Sequence, residues 1–505
     1  MRTVPGPTSR VVVVGAGLSG LAAALHLAGR GREVTVVERA PVPGGRAGRL
    51  DVDEYRLDTG PTVLTMPDIV EETLGAVGDS VARRLELLPL SPVYEAHFAD
   101  RSRLRVHSEE EAMVDEVRRF AGPGAVDGYL ALREWLTRLY HAEYDRFIAT
   151  NLDSPLSLLT PQLARLVALG GFGRLDRRIG RFLRDERLRR VFTFQSLYAG
   201  VAPRQALALY GVIAYMDTVA GVFFPRGGVR ALPDGLAAAA ADAGVHLRYG
   251  SAVSTVERSG RRVTAVITEH GDRIPCDAVV LTTEPETTYR LLGRAPRRPV
   301  PLRSAPSAVV VHLGTRGGWQ IPHHVISFGD AWRTTFDELI DRGHTMSDPS
   351  LLITRPTASD PRLAPEGHDL LSVLAPVPNL ARGHVDWDTD GEAYADEVLR
   401  VVERRLLPGL TTSADVLHVI TPADWARSGM TAGTPFSYAH SLRQTGPFRP
   451  GNFPGFLDNA VLAGGGTVPG VGVPTALISG RLAADRITGV PAHRGRTVIA
   501  GGRPR

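Results

Sequence analysis

Three glycines near the N-terminus have the spacing of a phosphate-binding turn. Residues 11–14 form a run of four valines typical of a buried strand, and Gly15, Gly17 and Gly20 follow in the stretch VVVVGAGLSG. Gly15 permits the turn, Gly17 lets the backbone approach a pyrophosphate, and Gly20 allows the next helix to pack on the strand. The start of that helix would offer unpaired N–H groups and a partial positive charge to an anion.

An acidic residue completes this pattern. Apolar residues at helical spacing continue to residue 28, and the strand EVTVVE then ends at Glu38. A carboxylate there accepts hydrogen bonds from both ribose hydroxyls and repels a 2′-phosphate, which disfavours NADP. The whole unit therefore predicts dinucleotide binding, although a tight strand-to-helix turn is the simpler alternative. The predicted contacts are Gly15, Ala16, Gly17, Leu18, Ser19, Gly20, Glu38 and Arg39.

Two further segments extend the predicted site. Gly45 and Arg46 follow the second strand in PVPGGRAGRL, where a cation and two glycines could reach the pyrophosphate from its far side. Gly60, Pro61 and Thr62 end a predicted strand in YRLDTGPTVL. This combination resembles the glutathione-reductase-like flavoproteins, in their amine-oxidase and carotenoid-desaturase branch. The resemblance implies that the first segment flanks the pyrophosphate of FAD and the second lies near the flavin ring.

The C-terminal region returns to the same predicted domain. NAVLAGGGTVPGVGVPTALISGRLAADRI is typical of a strand, a glycine-rich loop and a helix, with Pro474 suited to the first helical turn. Such a helix start could direct N–H groups at the N1/O2 edge of the flavin. Another tight turn is the alternative interpretation. The residues predicted to contact the flavin here are Gly466, Gly472, Val473 and Pro474.

Four segments are similar to those of bacterial-type phytoene desaturases: FTFQSLYAG, FPRGGVRAL, HSLRQTGPFRPGN and GGGTVPGVGVPTALISGRLAAD. The chain departs from the family pattern where SYAH lacks an acidic residue and where Gly451 replaces a histidine. The resemblance implies FAD-dependent desaturation of a long isoprenoid such as phytoene and a backbone contact of Val253 with the adenine. We expect non-covalent FAD, because the single cysteine, Cys276, is poorly placed for a thioether link. Arg226 and Gln444 lie in matched segments, where they face the flavin or the substrate tunnel or have structural roles.

The resemblance also implies an α/β fold, with a discontinuous Rossmann-like FAD-binding domain and a mixed α+β substrate domain. The FAD-binding parts are predicted at residues 1–109, 225–290 and 426–505. A mostly helical part is predicted at 110–224, and the substrate sheet at 291–425. Seven aromatic residues in 191–225 indicate either a helical core or an apolar substrate tunnel.

Composition limits the chemistry of the 505-residue chain. All 58 basic residues are arginine, which excludes lysine Schiff bases and P-loop lysines. The single cysteine, Cys276, excludes an intramolecular disulfide and a cysteine zinc cluster and fits a reducing compartment. A net charge of +4 does not indicate nucleic-acid binding.

The adjacent His323 and His324 are expected in a surface pair or turn, and no metal site is predicted.

One segment suggests a membrane surface. Residues 161–190 interleave apolar residues with arginines, and from Arg165 to Arg190 nine arginines face three acidic residues. A helix pair of this kind could lie on an anionic bilayer, or it could be the solvated face of ordinary core helices. Because no apolar run is long enough to span a bilayer, we expect a cytoplasmic protein that associates peripherally with membranes.

Related activities remain alternatives at this stage. A carotenoid isomerase, a carotenoid ketolase or a desaturase of another isoprenoid length would carry similar motifs. A flavin amine oxidase shares the fold, but many use a lysine near the flavin or a cysteine link to it. A non-enzymatic prenyl-lipid carrier of the same fold would lack the flavin-binding residues that are present here.

Overall fold

A computed structural model describes residues 1–298, 301–316 and 318–490. Within these ranges the strands are β1 (Arg10–Val14), β2 (Glu33–Val37), β3 (Arg49–Val52), β4 (Tyr55–Asp58), β5 (Leu64–Thr65), β6 (Leu87–Pro89), β7 (Tyr94–His97), β8 (Arg103–Val106), β9 (Val222–Pro225), β10 (His246–Arg248), β11 (Val253–Ser259), β12 (Arg262–Thr268), β13 (Arg273–Pro275), β14 (Ala278–Leu281), β15 (Ser307–Arg316), β16 (His324–Ser327), β17 (Leu351–Thr354), β18 (His368–Val377), β19 (Ala414–Ile420) and β20 (Ala460–Leu462).

The helices of the same ranges are α1 (Leu18–Ala28), α2 (Pro67–Gly75), α3 (Val81–Arg84), α4 (Glu110–Ala121), α5 (Val126–Glu143), α6 (Pro161–Ala168), α7 (Leu175–Ile179), α8 (Glu186–Val191), α9 (Gly211–Thr218), α10 (Ala231–Asp242), α11 (Pro285–Leu291), α12 (Trp332–Phe336), α13 (Trp387–Arg405), α14 (Leu410–Ser413), α15 (Pro422–Arg427) and α16 (Val473–Thr488). Short 3₁₀ and π turns connect several of them.

A five-stranded parallel sheet carries the predicted dinucleotide site. Its strand order is β10-β2-β1-β14-β20, so strands from three distant parts of the chain pair side by side. Val11 to Val14 are fully buried, because α1, α10 and α16 cover one face of the sheet and the three-stranded sheet β11-β12-β13 covers the other. The predicted α/β fold with a Rossmann-like sheet is therefore confirmed. The predicted third part extends to residue 505, and residues 491–505 lie outside the described ranges.

A seven-stranded sheet forms the second layer. Its order is β19-β15-β18-β17-β16-β7-β8, antiparallel except for the parallel pair of β16 and β7. The first predicted boundary, 1–109, is wrong in this respect, because β7 pairs with β16 through Val325 and Glu95. Local alternation of apolar residues predicts a strand, but it does not identify the sheet that the strand joins.

The segment 110–224 is mostly helical, as predicted, but residues 161–190 do not form a helix pair. They form three short helices, α6, α7 and α8, because glycines interrupt the apolar pattern. Gly170 has φ +73°, a left-handed conformation that ends α6 and that side chains rarely adopt. Among the helices of the described ranges, none is both long and apolar enough to cross a bilayer.

Helices α1 and α16 cross with their backbones in contact. A Cβ added at Gly480 in α16 would overlap the carbonyl oxygen of Ser19 and lie 2.7 Å from the amide nitrogen of Ala23. The contact therefore joins the first and last parts of the dinucleotide domain through bare backbone. The two helices cannot move apart to make room for a side chain, because both are buried against the parallel sheet.

We predict that Gly480→Ala destabilises the protein. The added methyl group overpacks a backbone contact, which typically costs about 1–3 kcal/mol of unfolding free energy. The measurement is the thermal unfolding midpoint of the flavin-loaded protein, which should fall by several degrees.

Gly75→Ala is the matched control, because a Cβ at Gly75 meets nothing within 4 Å at the exposed end of α2. Its midpoint should stay close to that of the parent. Equal midpoints for Gly480→Ala and Gly75→Ala would contradict the prediction.

Candidate functional site

The glycine turn after β1 forces helix and strand together. Gly15 has φ +106°, and a Cβ at this position would collide with the hydroxyl of Thr282. A Cβ at Gly20 would overlap the carbonyl oxygen of Gly15. Gly17 is the extended residue that precedes α1, with φ −73° and ψ 176°. The first N–H groups of α1, which have no partner within the helix, thus lie at the end of β1.

Glu38 is held in place directly beyond β2. Its Oε2 accepts a hydrogen bond from the Ala16 amide at 2.7 Å, and its Oε1 accepts one from the Ala40 amide at 2.9 Å. The side chain is buried and lines the cavity described below. Each carboxylate oxygen retains a lone pair for a further donor. Glu38 therefore both fixes the glycine turn and presents a hydrogen-bond acceptor to a ligand.

The segment 44–46 forms the second side of this turn. The Gly44 amide donates to the Ala16 carbonyl at 2.9 Å, and a Cβ at Gly45 would lie 3.2 Å from the Gly17 Cα. The two glycine turns thus face each other without side chains, which leaves a groove walled by backbone. This groove fits a pyrophosphate, which requires close approach of N–H groups. The Arg46 guanidinium, predicted to reach that group, forms an ion pair with the buried Glu284.

Two further loops close the groove. Gly60, Pro61 and Thr62 line the cavity after β4, and a Cβ at Gly60 would overlap the carbonyl oxygen of Arg46. The Asp58 carboxylate accepts hydrogen bonds from the Val229 amide at 2.7 Å and the Arg230 amide at 3.1 Å, which joins the FPRGG segment to this loop. Opposite them, α16 begins at Val473, so its N-terminus faces the cavity through Gly472, Val473 and Pro474.

One cavity of about 1630 Å³ connects this groove to the second sheet. Val253 lines it at the groove end, where its contact with the adenine stays a prediction, and the inner face of the seven-stranded sheet forms its floor. Side chains on that face alternate along each strand, so they form rows across the sheet. The first row is apolar: Ile420, Val310, Leu374, Leu352 and Ile326. The adjacent row is polar: His418, His312, Ser372 and Thr354.

Five aromatic side chains beside this floor form what is called the aromatic wall below: Phe194, Tyr198, Phe328, Trp332 and Phe336. Phe194 meets Tyr198 edge-on at 5.8 Å and Phe328 at 6.0 Å between ring centroids. Phe328 in turn meets Trp332 at 5.4 Å, and Trp332 meets Phe336 at 4.7 Å. All five side chains line the cavity. Of the seven aromatic residues predicted to form a core or a tunnel, the cavity is lined by Phe194, Tyr198 and Tyr210.

Some predicted ligands support the groove without lining the cavity. Ala16 supplies the amide that holds Glu38, and Gly20 gives α1 its close contact with Gly15. A Cβ at Gly466 would lie 2.5 Å from the Pro285 ring, so packing explains that glycine. These three residues therefore support the groove, and their contact with the cofactor stays a prediction. Spacing alone could not distinguish the two roles.

The two candidates for the reacting site, Arg226 and Gln444, do not line the cavity. Arg226 is partly exposed and forms an ion pair with Glu86 at 2.5 Å. Gln444 is buried, where its side chain accepts from the Arg303 amide at 2.7 Å and donates to the Ala439 carbonyl at 2.8 Å. Both contacts are structural, because they tie loops together rather than face a ligand. Position within a motif could not show which way these side chains point.

The expected surface position of His323 and His324 is also wrong. Both are buried, and His323 Nδ1 lies 2.7 Å from the Ser359 hydroxyl. Burial lowers the pKa of both imidazoles, so they are neutral at physiological pH. Within the described ranges no group of three or more metal-ligating side chains is found.

Three titratable side chains of the cavity are not among the residues predicted from the sequence. Asp217, Glu143 and His440 are all enclosed and line the cavity. Burial raises the pKa of Asp217 to about 7 and raises that of Glu143 well above its usual range. A signal existed for Asp217, because it is the one charged residue in the otherwise apolar stretch 211–224. Glu143 and His440 lie in mixed sequence that gave no such signal.

Comparison with known proteins adds to this geometry. The sequence model for flavin-containing amine oxidoreductases matches residues 18–488. A phytoene dehydrogenase from Streptomyces griseus is 60% identical over 505 residues, which cover 99% of each chain. A zeta-carotene-forming phytoene desaturase from Myxococcus xanthus is 36% identical over 486 residues, covering 95% of this chain and 93% of its own.

Similarity to solved structures agrees with the fold. An oxidoreductase from Methanosarcina mazei superposes with a TM-score of 0.61 at 17% identity, covering 93% of this chain and 98% of that one. At this identity the likeness concerns the fold alone. Sequence similarity over nearly the full length is the stronger finding, and by it the chain belongs to the phytoene desaturases within the flavin-containing amine oxidoreductase family.

Proposed function

We propose that this protein is an FAD-dependent desaturase of a long isoprenoid hydrocarbon, with phytoene as substrate and a more unsaturated carotene such as lycopene as product. The observation that carries the proposal is the single cavity that joins a backbone groove to an apolar floor and an aromatic wall. Its volume of about 1630 Å³ exceeds the roughly 300–1,000 Å³ of a pocket for one drug-sized ligand. It therefore has space for a dinucleotide and a long second ligand.

The groove suits FAD in particular. Glu38 would accept hydrogen bonds from the ribose, the facing turns at Gly17 and Gly45 would hold the pyrophosphate, and the start of α16 would face the flavin. FAD, when bound, supplies the ability to accept a hydride. We propose that it is bound non-covalently, because Cys276 is buried and burial raises the pKa of its thiol to about 12.

The protein's own contribution is to hold a flexible chain and exclude water. The apolar row on the sheet floor and the aromatic wall enclose a hydrocarbon from two sides. Fixing a reacting carbon in one geometry is the largest rate contribution that such a site can make. A charged triad is not required for this, because the oxidising chemistry belongs to the cofactor.

We further propose that the protein is cytoplasmic and docks peripherally on an anionic membrane. Around the segment 156–172, apolar side chains are exposed at 45% or more: Leu156, Leu159, Val167 and Phe172. Leu442 and Phe448 are exposed on a neighbouring loop and, like Phe172, also line the cavity. These six residues are called the apolar edge below. A hydrocarbon dissolved in the bilayer could pass from this edge into the cavity without contacting water.

The arginines near the apolar edge do not all serve this docking. Arg178 stacks on Trp135 at 5.3 Å, and Arg190 forms an ion pair with Glu186 at 2.8 Å. Arg177 and Arg181 are exposed and form no ion pair within the described ranges, so they are free to meet lipid headgroups. Arginine near an anionic surface contributes about 1 kcal/mol, and this attraction decays within a Debye length.

The direct test of the activity is product analysis. We expect purified, flavin-loaded protein to convert liposome-borne phytoene, in the presence of an electron acceptor such as oxygen or a quinone, into carotenes with additional conjugated double bonds. Chromatography with absorption spectra identifies them. Isomerised or oxygenated carotenoids without new double bonds would contradict the proposed function and favour an isomerase or a ketolase.

We predict that Glu38→Ala weakens FAD binding by about 10- to 100-fold, because a charged acceptor typically contributes about 1.5–3 kcal/mol. The change also leaves the Ala16 amide without its partner. The measurement is the Kd of FAD for the apoprotein. Glu33→Ala is the matched control, since Glu33 is exposed at the start of the same strand. An unchanged Kd for Glu38→Ala would show that Glu38 is not the ribose ligand.

We predict that reversing Arg177 and Arg181 to Glu reduces co-sedimentation with anionic liposomes at low salt and leaves flavin content unchanged. The electrostatic part of the attraction should vanish at high salt for the parent as well. Reversal of the exposed Arg400 and Arg404 on α13 makes the same change in net charge elsewhere and is the control. If both double variants bind equally well, the docking surface does not include Arg177 and Arg181.

A further inference from the structure

An apolar helix beside the cavity ends in a carboxylate that has no partner. Val212, Ile213 and Met216 of α9 line the cavity, and Asp217 follows in its last turn. Asp217 is only 8% exposed and also lines the cavity. Among the described residues, none donates a hydrogen bond or forms an ion pair to its carboxylate at bonding distance. The carboxylate is thus enclosed and open to the cavity alone.

Stability does not account for this carboxylate. An unpaired carboxyl group in an apolar enclosure loses its hydration without compensation, and an apolar side chain in its place would be more stable. Burial raises the pKa of Asp217 to about 7, so both the protonated and the ionised forms are present near neutral pH. A group in this state can take up a proton and release it again.

The position of Asp217 connects it to the dinucleotide groove. Five residues after Asp217, Val222 begins β9 and pairs with Thr65 of β5, the strand that follows the flavin-side loop 60–62. Thr65 also lines the cavity. On its other side Asp217 is near Tyr94 and Tyr198, since its charge acts with burial to raise the pKa of both phenols. Asp217 therefore lies beside the aromatic wall, at the end of the helix that leads into the strand paired with β5.

We propose that Asp217 is the base that receives the proton lost from the substrate as the new double bond forms. This inference rests on the proposed desaturation. One carbon gives up a hydride, with its two electrons, to the flavin oxidant. The neighbouring C–H bond then breaks, its electron pair becomes the second bond of the new C=C, and its proton passes to a carboxylate oxygen of Asp217.

The surroundings suit the positive charge that this reaction creates. Loss of hydride leaves a cationic carbon, which the π-faces of aromatic side chains and a carboxylate both stabilise. Phe194 and Tyr198 of the aromatic wall provide such faces. Tyr94 and Tyr198 remain uncharged, because burial and the nearby Asp217 carboxylate raise the pKa of both phenols. Among the described residues, no cationic side chain affects the pKa of Asp217, so none lies beside it to oppose the developing positive charge.

The other enclosed groups are less suited to this role and serve as comparisons. Glu143 lines the cavity, but its Oε1 is inaccessible to solvent and has no hydrogen-bond partner among the described residues, and burial raises the pKa of this carboxyl well above its usual range. The His440 ring packs edge-on against Tyr210 at 5.7 Å and beside Gly470, so it lies against the loop that precedes α16. Asp217 is the carboxyl group that lies near Tyr198 of the aromatic wall.

A cationic ligand tests the proposal without turnover. N,N-dimethyldodecylamine, protonated at neutral pH, places a positive nitrogen where the reaction would place a positive carbon, and 2-methyltetradecane is its uncharged carbon isostere. Binding of each from neutral phosphatidylcholine vesicles to flavin-loaded protein is followed by the fluorescence of Trp332 and Trp425, which line the cavity. The parent should prefer the amine over the alkane by about 10- to 100-fold, the range of a charge-assisted contact.

Asp217→Asn should abolish this preference while it leaves alkane affinity and flavin content unchanged. Glu143→Gln, the matched change in the same cavity, should keep it. Retention of the preference in Asp217→Asn, or its loss in Glu143→Gln alone, would overturn the proposal. Because binding does not require turnover, this outcome is distinct from a parent protein that fails to desaturate phytoene, which would refute the proposed function instead.

Kinetics provide the second readout. A base must be ionised, so the parent rate should rise with pH through about 7, the pKa of Asp217. Asp217→Asn should lower kcat by about 100- to 10,000-fold, the usual contribution of a general base. It should also remove the acid limb, which is the fall in rate below about pH 7. An acid limb that persists in Asp217→Asn would assign the titration to another group and overturn the proposal.

Discussion

Contact of bare backbone at glycines is the constraint on which the dinucleotide half of this molecule depends. Gly20 lets α1 lie on the end of β1, Gly480 lets α16 lie on α1, and Gly60 lets its loop lie on the Arg46 carbonyl. The contact at Gly480 joins the two ends of the chain, whereas those at Gly20 and Gly60 fix turns within the first part of the domain. Together they place the start of α1, the turn at Gly45 and the start of α16 around one groove. A side chain at any of these glycines would separate walls that must meet.

Strand register imposes the second constraint, on the opposite side of the cavity. The apolar row through Val310 and the polar row through His312 lie two residues apart along β15; the first crosses five strands of the sheet and the second crosses four. A slip of one residue would turn both rows away from the cavity. The polar row is partly satisfied internally, because His312 Nδ1 and the Ser372 hydroxyl lie 2.7 Å apart. The cavity therefore keeps an apolar floor beside a narrow polar strip.

Sequence could predict what depends on neighbouring residues. The β1–α1–β2 unit and Glu38 follow from spacing within a single stretch, and the C-terminal strand, loop and helix follow from the same kind of pattern. The sequence could not show that β7 joins the second sheet, because its partner β16 lies far along the chain. It also could not show that the side chains of Arg226 and Gln444 point away from the cavity, because their partners are distant too. Asp217 was detectable as a charge in an apolar stretch, but only the fold shows that the cavity lies beside it.

A hydrocarbon desaturase has to satisfy two opposed requirements, and the distribution of polar groups in the cavity addresses both. Binding requires an apolar surface, which contributes about 25 cal/mol for each Å² of substrate removed from water. The chemistry creates charge, which an apolar surface would penalise. The apolar edge and the apolar row supply the apolar surface, and the Asp217 carboxylate lies in the cavity near Tyr198 of the aromatic wall. Polar groups thus occupy limited parts of the cavity, namely the polar row on the sheet floor and the enclosed titratable side chains, so the remaining surface can bind a hydrocarbon.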